Sequence, residues 1–194
     1  MLLQSNRVRR TQPIARIAGG FTLVEILAVV VILGIASAII IPNMGTRDDM
    51  RAAAAARVVV ADLIYAQNQA ITTGKWVYVK FDTANNKYTL LSTASSGGDV
   101  VLTNPVSQTS YVQQFGSSAR GWEQVSISSA VFNGADATFR PMYTIAFDEI
   151  GSPYVFNYTN NQSNDLNDGS VVIRAGQFTT TVSVQPATGE ISVN

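Results

Sequence analysis

Between Gly20 and Asn43 the chain reads F-T-L-V-E-I-L-A-V-V-V-I-L-G-I-A-S-A-I-I-I-P, and no other stretch restricts the fold as strongly. Phe21 to Ile41 carries one charge, Glu25, and Ile26 to Ile41 carries none. At about 1.5 Å per residue such a helix is roughly 31 Å long, close to the thickness of a bilayer core. The preceding segment holds Arg7, Arg9, Arg10 and Arg16 with no acid, whereas Arg47, Asp48, Asp49 and Arg51 balance one another on the far side. The positive-inside tendency keeps the N-terminus in the cytoplasm and sends the remainder across. A secretory signal peptide carries its small-residue cleavage site after the apolar run, and cutting there discards the run. Here Ala36-Ser37-Ala38 lies inside the run, and the small pair Gly19-Gly20 lies before it. Cutting after Gly20 removes only the basic leader, residues 1–20, and leaves the oily helix at the new N-terminus.

Gly20-Phe21-Thr22-Leu23-Val24-Glu25, followed by this run, resembles the processing motif of type IV prepilins and type II secretion pseudopilins. The resemblance implies that a membrane aspartyl peptidase, the prepilin peptidase, cuts after Gly20 and that Phe21 becomes N-methylated. It extends to Gly34 and Pro42, at positions where many of these proteins have a helix-loosening glycine and proline. The competing reading is a plain signal anchor with accidental glycines.

Glu25 is the residue out of place, because a carboxylate in hydrocarbon is costly unless it finds a partner. Cleavage supplies one, the amine of Phe21, four residues away, in the same chain or in a neighbour. The family implies the neighbour: this glutamate meets the amine of an adjacent subunit and sets the register of a filament. Snorkelling of Glu25 to the headgroups is the alternative. Gly34 and Pro42 both weaken a helix, by about 1 and 3 kcal/mol in soluble hosts. In the family this stretch partly unwinds on assembly, and a static kink fits the sequence equally well.

Past Pro42, Thr46 is an N-cap candidate ahead of Asp48 and Asp49. The Ala-rich stretch to Gly74 reads as an amphipathic helix with Ala56, Val60, Leu63, Ala70 and Ile71 on its apolar side, and Gly74 as its stop. Unbroken from residue 21 to 73, the helix is roughly 80 Å long. From Lys75 the period becomes two: Val77, Val79 and Phe81 alternate with Trp76, Tyr78 and Lys80, and a hairpin returns after Asn85-Asn86. Further strands are expected at 124–127, 144–147, 154–158, 171–174, 179–184 and 191–193. Residues 92–123, rich in Ser, Gly, Thr and Gln, read as a long loop or insertion. The expected fold is α+β: a long N-terminal helix, half transmembrane (21–42) and half amphipathic (43–74), packed on an antiparallel two-layer β-domain (75–194), pilin-like. The join from Ala66 to Val79, Ile145 to Pro153 and the last strands resemble the GspH/FimT-type minor pseudopilins and minor pilins. That resemblance is diffuse, and the chain lacks the cysteine pair of many pilins.

The chemistry available is limited. With no histidine and no cysteine, there is no triad or thiolate nucleophile and no usual metal ligand. No carboxylate pair stands out, so neither an enzyme nor a cofactor is expected. The oxygen-rich stretch 160–169, N-N-Q-S-N-D-L-N-D-G, invites calcium but does not match the calcium-loop pattern, and ordinary turns use the same residues. Removing the leader's four arginines from 13 basic and 13 acidic residues leaves 9 against 13, a net charge of −4. A negative surface disfavours nucleic acid. Trp76, Tyr78, Tyr111, Trp122, Tyr143 and Tyr154 read as core and sheet-surface residues rather than a ligand platform.

The sequence thus points to a structural subunit of the bacterial inner membrane with its C-terminal domain in the periplasm, a minor pseudopilin of a type II secretion system. The partners this implies are the prepilin peptidase, other pilin or pseudopilin subunits and an inner-membrane assembly platform. The alternatives are a minor pilin of a type IV pilus and a bitopic membrane protein whose β-domain binds a ligand and never polymerises.

Overall fold

The computed structural model describes residues 20–43, 47–94, 97–117 and 121–194, with residues 39–43 as backbone only. The chain divides into two compact units, 1–45 and 46–194. Helix α1, Leu23–Asn43, is the described element of the first. Counting only residues described in full, no helix is long and apolar enough to cross a membrane. The backbone of α1 nevertheless continues through Ile39, Ile40 and Ile41, and its 21 residues amount to about 31 Å. Thr46 and the join between α1 and α2, on which the single 80 Å helix depended, lie outside the described residues.

In the second unit, helix α2 covers Asp48–Thr73. Alanine favours helix at almost every turn, and Asp48 and Asp49 occupy the first turn, where the helix dipole favours negative charge. Gly74 stops it in the left-handed region (φ 58°), and the Gly74 and Lys75 amides both donate to the Ala70 carbonyl. The buried face is Ala52, Ala55, Ala56, Val59, Leu63, Ala66 and Ala70. Those alanines bring the helix axis close to the sheet. The apolar side is rotated slightly from the expected one: Val60 is half-buried, and Ile71 is 50% exposed.

Ten strands follow: β1 Val77–Asp82, β2 Lys87–Thr93, β3 Asp99–Val101, β4 Val112–Gln114, β5 Val125–Gly134, β6 Thr144–Phe147, β7 Pro153–Asn157, β8 Gln162–Ala175, β9 Phe178–Val184 and β10 Ile191–Val193. Every pairing is antiparallel, in the order β10-β9-β8-β7-β6-β1-β2-β3, with β4 also on β2 and β5 also on β8. Helix α2 packs against β10, β9 and β8 at one end of this order and against β6 and β1 further along, and closes the main core over Val77, Val79, Phe81, Tyr88, Phe132, Phe147 and Ile173. The α+β architecture expected from the sequence is therefore the one observed.

Two stretches differ from expectation. The oxygen-rich segment is not a loop, since Gln162 to Gly169 forms the first half of β8, which pairs with β7 and then bends to join β9. Its oxygens serve the fold: Asn164 Oδ1 accepts from the Asp136 amide at 2.9 Å, and Asp168 Oδ1 from the Asn133 side chain at 2.9 Å. Residues 92–123 include two short strands on β2, and this excursion is tied down from beneath. Tyr111 and Tyr88 both donate to the Asp62 carboxylate on α2, at 2.9 and 2.6 Å.

Asp62 is a half-buried carboxyl facing two phenols. Burial pushes its carboxyl pKa above the usual range, and the two hydrogen bonds oppose the shift only in part. A carboxyl raised on folding favours the native state most when protonated, so its contribution falls as pH rises from the unfolded pKa through the native one. Asp62→Asn removes that titration. Urea midpoints measured from pH 3 to 7 should show wild type losing stability relative to the Asn variant as pH rises. A constant offset would show that Asp62 does not titrate differently on folding.

Candidate functional site

The segment of interest is the head of α1. Gly20, Phe21 and Thr22 precede the helix and are exposed, Phe21 at 79%. The helix starts where it does because Thr22 caps it. The Glu25 amide donates to Thr22 Oγ1 at 3.2 Å and the Ile26 amide to the Thr22 carbonyl at 3.2 Å. Thr22-Leu23-Val24-Glu25 has the Thr-x-x-Glu form of a capping box, in which the threonine satisfies an amide that the first helical turn leaves free. Thr22 had no assigned role in the sequence reading, although that spacing was there to be read. Its consequence is local: the Gly20–Phe21 peptide bond stays outside the helix, where a peptidase can reach it.

Removing this cap should cost about 1 kcal/mol of local helix stability. In detergent micelles, amide exchange at Glu25 and Ile26 should accelerate roughly fivefold in Thr22→Ala, by the corresponding Boltzmann factor, and stay near wild type in Thr22→Ser. Equal exchange in both variants would remove Thr22 from the site.

Glu25 lies in the first turn with its side chain exposed. Its carboxylate has no hydrogen-bond or ion-pair partner among the described residues. The position benefits from the helix dipole, which offsets a few tenths of a kcal/mol up to about 1 kcal/mol of the carboxylate's cost. That is less than the ~2.5–3.5 kcal/mol that a charge costs at a helix centre in a membrane.

The glycines are informative through what surrounds them. Among the described residues, a Cβ built at Gly20 or at Gly34 meets nothing within 4 Å, and Gly34 has no positive φ. Nothing among the described residues requires glycine at either place. Gly34 costs the helix about 1 kcal/mol relative to alanine with no packing gain in return. Pro42 lies inside α1, one residue before its end, so the helix does not break at that proline. Gly20, Phe21 and Glu25 are brought together at one end of α1, and Gly34 and Pro42 stand further along it.

The other described side chains offer little chemistry. Among the described residues no three metal-ligating side chains converge. Asp48, 4% exposed at the start of α2, bonds Arg51 at 3.4 Å. It also accepts from the Gln124 amide, oriented with its nitrogen toward the carboxylate, at 2.9 Å. That contact anchors the helix start to the sheet.

Comparison with known proteins bears on both units. Residues 16–41 match the family model of the prokaryotic N-terminal methylation motif. Among curated proteins none matches the chain. Two solved structures of the minor pseudopilin EpsH from the type II secretion system of Vibrio cholerae share the fold. One is 15% identical with a TM-score of 0.50, covering 74% of this chain and 96% of the other. The second, a crystal structure, is 13% identical with a TM-score of 0.50, covering 75% and 94%. At such identities the likeness is one of fold. The N-terminal motif is an independent match, on a segment that the sequence alone singles out.

Proposed function

We infer that this chain is a structural subunit of the type IV prepilin and pseudopilin family, because it joins an N-terminal methylation motif to a pseudopilin-like fold. In this reading it is a minor pseudopilin of a type II secretion pseudopilus. Residues 1–20 are a leader removed by prepilin peptidase, and 21–42 anchor the chain in the inner membrane and then enter a filament core. Residues 43–74 lead into the periplasmic β-domain, 75–194. One observation carries the proposal: an exposed, unpartnered carboxylate one turn into an apolar helix whose preceding Gly-Phe bond is free. In a filament core, away from the headgroups, such a group is costly unless an outside cation meets it, and cleavage creates that cation at Phe21. The subunit performs no reaction itself; its work is docking.

Intact-mass and fragment-mass analysis of the chain purified from its native membrane tests this directly. The expected N-terminus is N-methylphenylalanine at residue 21. Retention of Met1 to Gly20 would overturn the polymer reading and leave an anchored β-domain. Loss of exoprotein secretion with normal twitching motility, on deleting the gene, supports the secretion system over a pilus.

A further inference from the structure

The sheet has a second apolar cluster apart from the main core. Along β1, Val77, Val79 and Phe81 enter the core beneath α2, so Tyr78 and Lys80 project from the opposite face. There Tyr78, Ala146 and Phe156 are buried, with Trp76, Leu91 and Tyr154 packed around them. The rings form a continuous array: Trp76 lies 4.9 Å from Tyr154, Tyr78 4.8 Å from Phe156, and Phe156 4.8 Å from Tyr158.

Beside the array is a hollow of about 380 Å³, floored by Trp76, Tyr78 and Phe156 and walled by Thr93, Asp99, Asn161 and Ser163. Its walls are held in place. The Tyr78 hydroxyl lies 3.2 Å from Thr93 Oγ1. Lys80 Nζ sits 4.6 Å from the centre of the Tyr158 ring.

These features narrow the ligand. The strands beneath the hollow offer a peptide no free edge, since β1 is paired with β2 and β6, and β7 with β6 and β8. The free edge at the rim, on β3, is only three residues long, short for strand addition, so side chains must do most of the holding. A lipid chain needs apolar walls, and these are hydroxyl, amide and carboxylate. Nucleic acid is opposed by Asp99 and by the negative charge of the chain beyond its leader. A pyranose ring has both required surfaces: flat C–H faces for an aromatic floor, and equatorial hydroxyls for a carboxylate, an amide and hydroxyls around it. The volume is at the small end of ligand pockets and suits one or two sugar rings.

We propose that the hollow between Trp76 and Asn161 is a saccharide-binding site, in which the rings of Trp76 and its neighbours stack on a pyranose face while Asp99, Asn161 and Ser163 bond its hydroxyls. The site is independent of filament assembly, and its test does not depend on that reading.

Trp76 is its own reporter, because the chain has only two tryptophans and the other, Trp122, packs against the main core. The full-length chain carrying Trp122→Phe, in an amine-oxide detergent without a sugar headgroup, is titrated with maltose, cellobiose and N,N′-diacetylchitobiose. A saturable change in Trp76 emission with at least one of them, at millimolar half-saturation, is expected. Asp99→Asn combined with Ser163→Ala should weaken it by roughly tenfold or more, the loss of about one good hydrogen bond. Asn161→Gly, which keeps the left-handed backbone at that turn (φ 53°), should do the same. Non-saturating responses to all three sugars, affinity unchanged in the variants, or an equal response to a neutral tripeptide would each overturn the proposal.

Discussion

Gly20→Val should leave the leader attached. In cells containing the peptidase, the variant should accumulate at full length, with processing slowed roughly 10- to 200-fold or more, the range that excess methylenes produce in a fitted pocket. The reason lies in the empty space around the residue. A Cβ at Gly20 meets no atom within 4 Å, and the residue is exposed and precedes the helix. Folding therefore tolerates valine, and thermal unfolding of the β-domain should be the same in variant and wild type. Blocked processing would then mean a demand for glycine with no source among the described residues, one made by another molecule that grips the backbone closely. The paired measurement separates the two explanations: blocked processing with unchanged unfolding places the demand on the peptidase, and normal processing would show that the glycine is incidental. Gly34 resembles Gly20 in its surroundings but not in its expected effect, because no bond there is to be cut.

Which parts of this molecule can be read from sequence depends on how local their causes are. The helix of the apolar run and the helix stop at Gly74 are local, and they appear where expected. Strand β5 is different: only residues 124–127 were legible, yet the strand runs to Gly134. A register shift between Ile127 and Ser129 resets the alternation, so Val125 and Ile127 face the core and then Ala130 and Phe132 do. A period-two search loses the strand at that irregularity. In strand β8 the end at 171–174 was legible, but the first half was hidden for another reason. Asn and Asp signal turns, but in 162–169 they sit in a strand whose side chains take donors from neighbouring segments. The Asp62–Tyr88–Tyr111 contact joins residues up to 49 apart and has no sequence signature. At the head of α1, Gly20, Phe21 and Glu25 were legible as types in an unusual place, whereas the cap made by Thr22 needed the hydrogen bond from the Glu25 amide. The aromatics were read as core and sheet-surface residues, and Tyr78, Trp76 and Tyr154 do lie in or against the outer-face cluster; their ring-to-ring spacing is what single residues in a sequence do not show.

Glu25→Ala should insert, be cleaved and fold normally, yet fail to enter filaments. Within the described residues the carboxylate touches nothing, so its removal has no partner to orphan inside the subunit and the β-domain's unfolding midpoint should not move. The cost appears on docking. If Glu25 meets the Phe21 amine of a neighbour away from water, the alanine variant leaves a buried cation unpaired, at about 3–5 kcal/mol. That corresponds to a loss of roughly 100-fold or more in incorporation. Glu25→Gln distinguishes charge from shape, since it keeps the length and one acceptor but not the anion. It should fall much nearer to alanine than to wild type, because a neutral amide cannot balance an ammonium in a low dielectric. Crosslinking through cysteines placed at exposed sites, with sheared filaments counted against membrane-bound subunits, reads incorporation separately from insertion. Incorporation of Glu25→Ala at the wild-type level would mean that the carboxylate only snorkels, and that register is set elsewhere along α1.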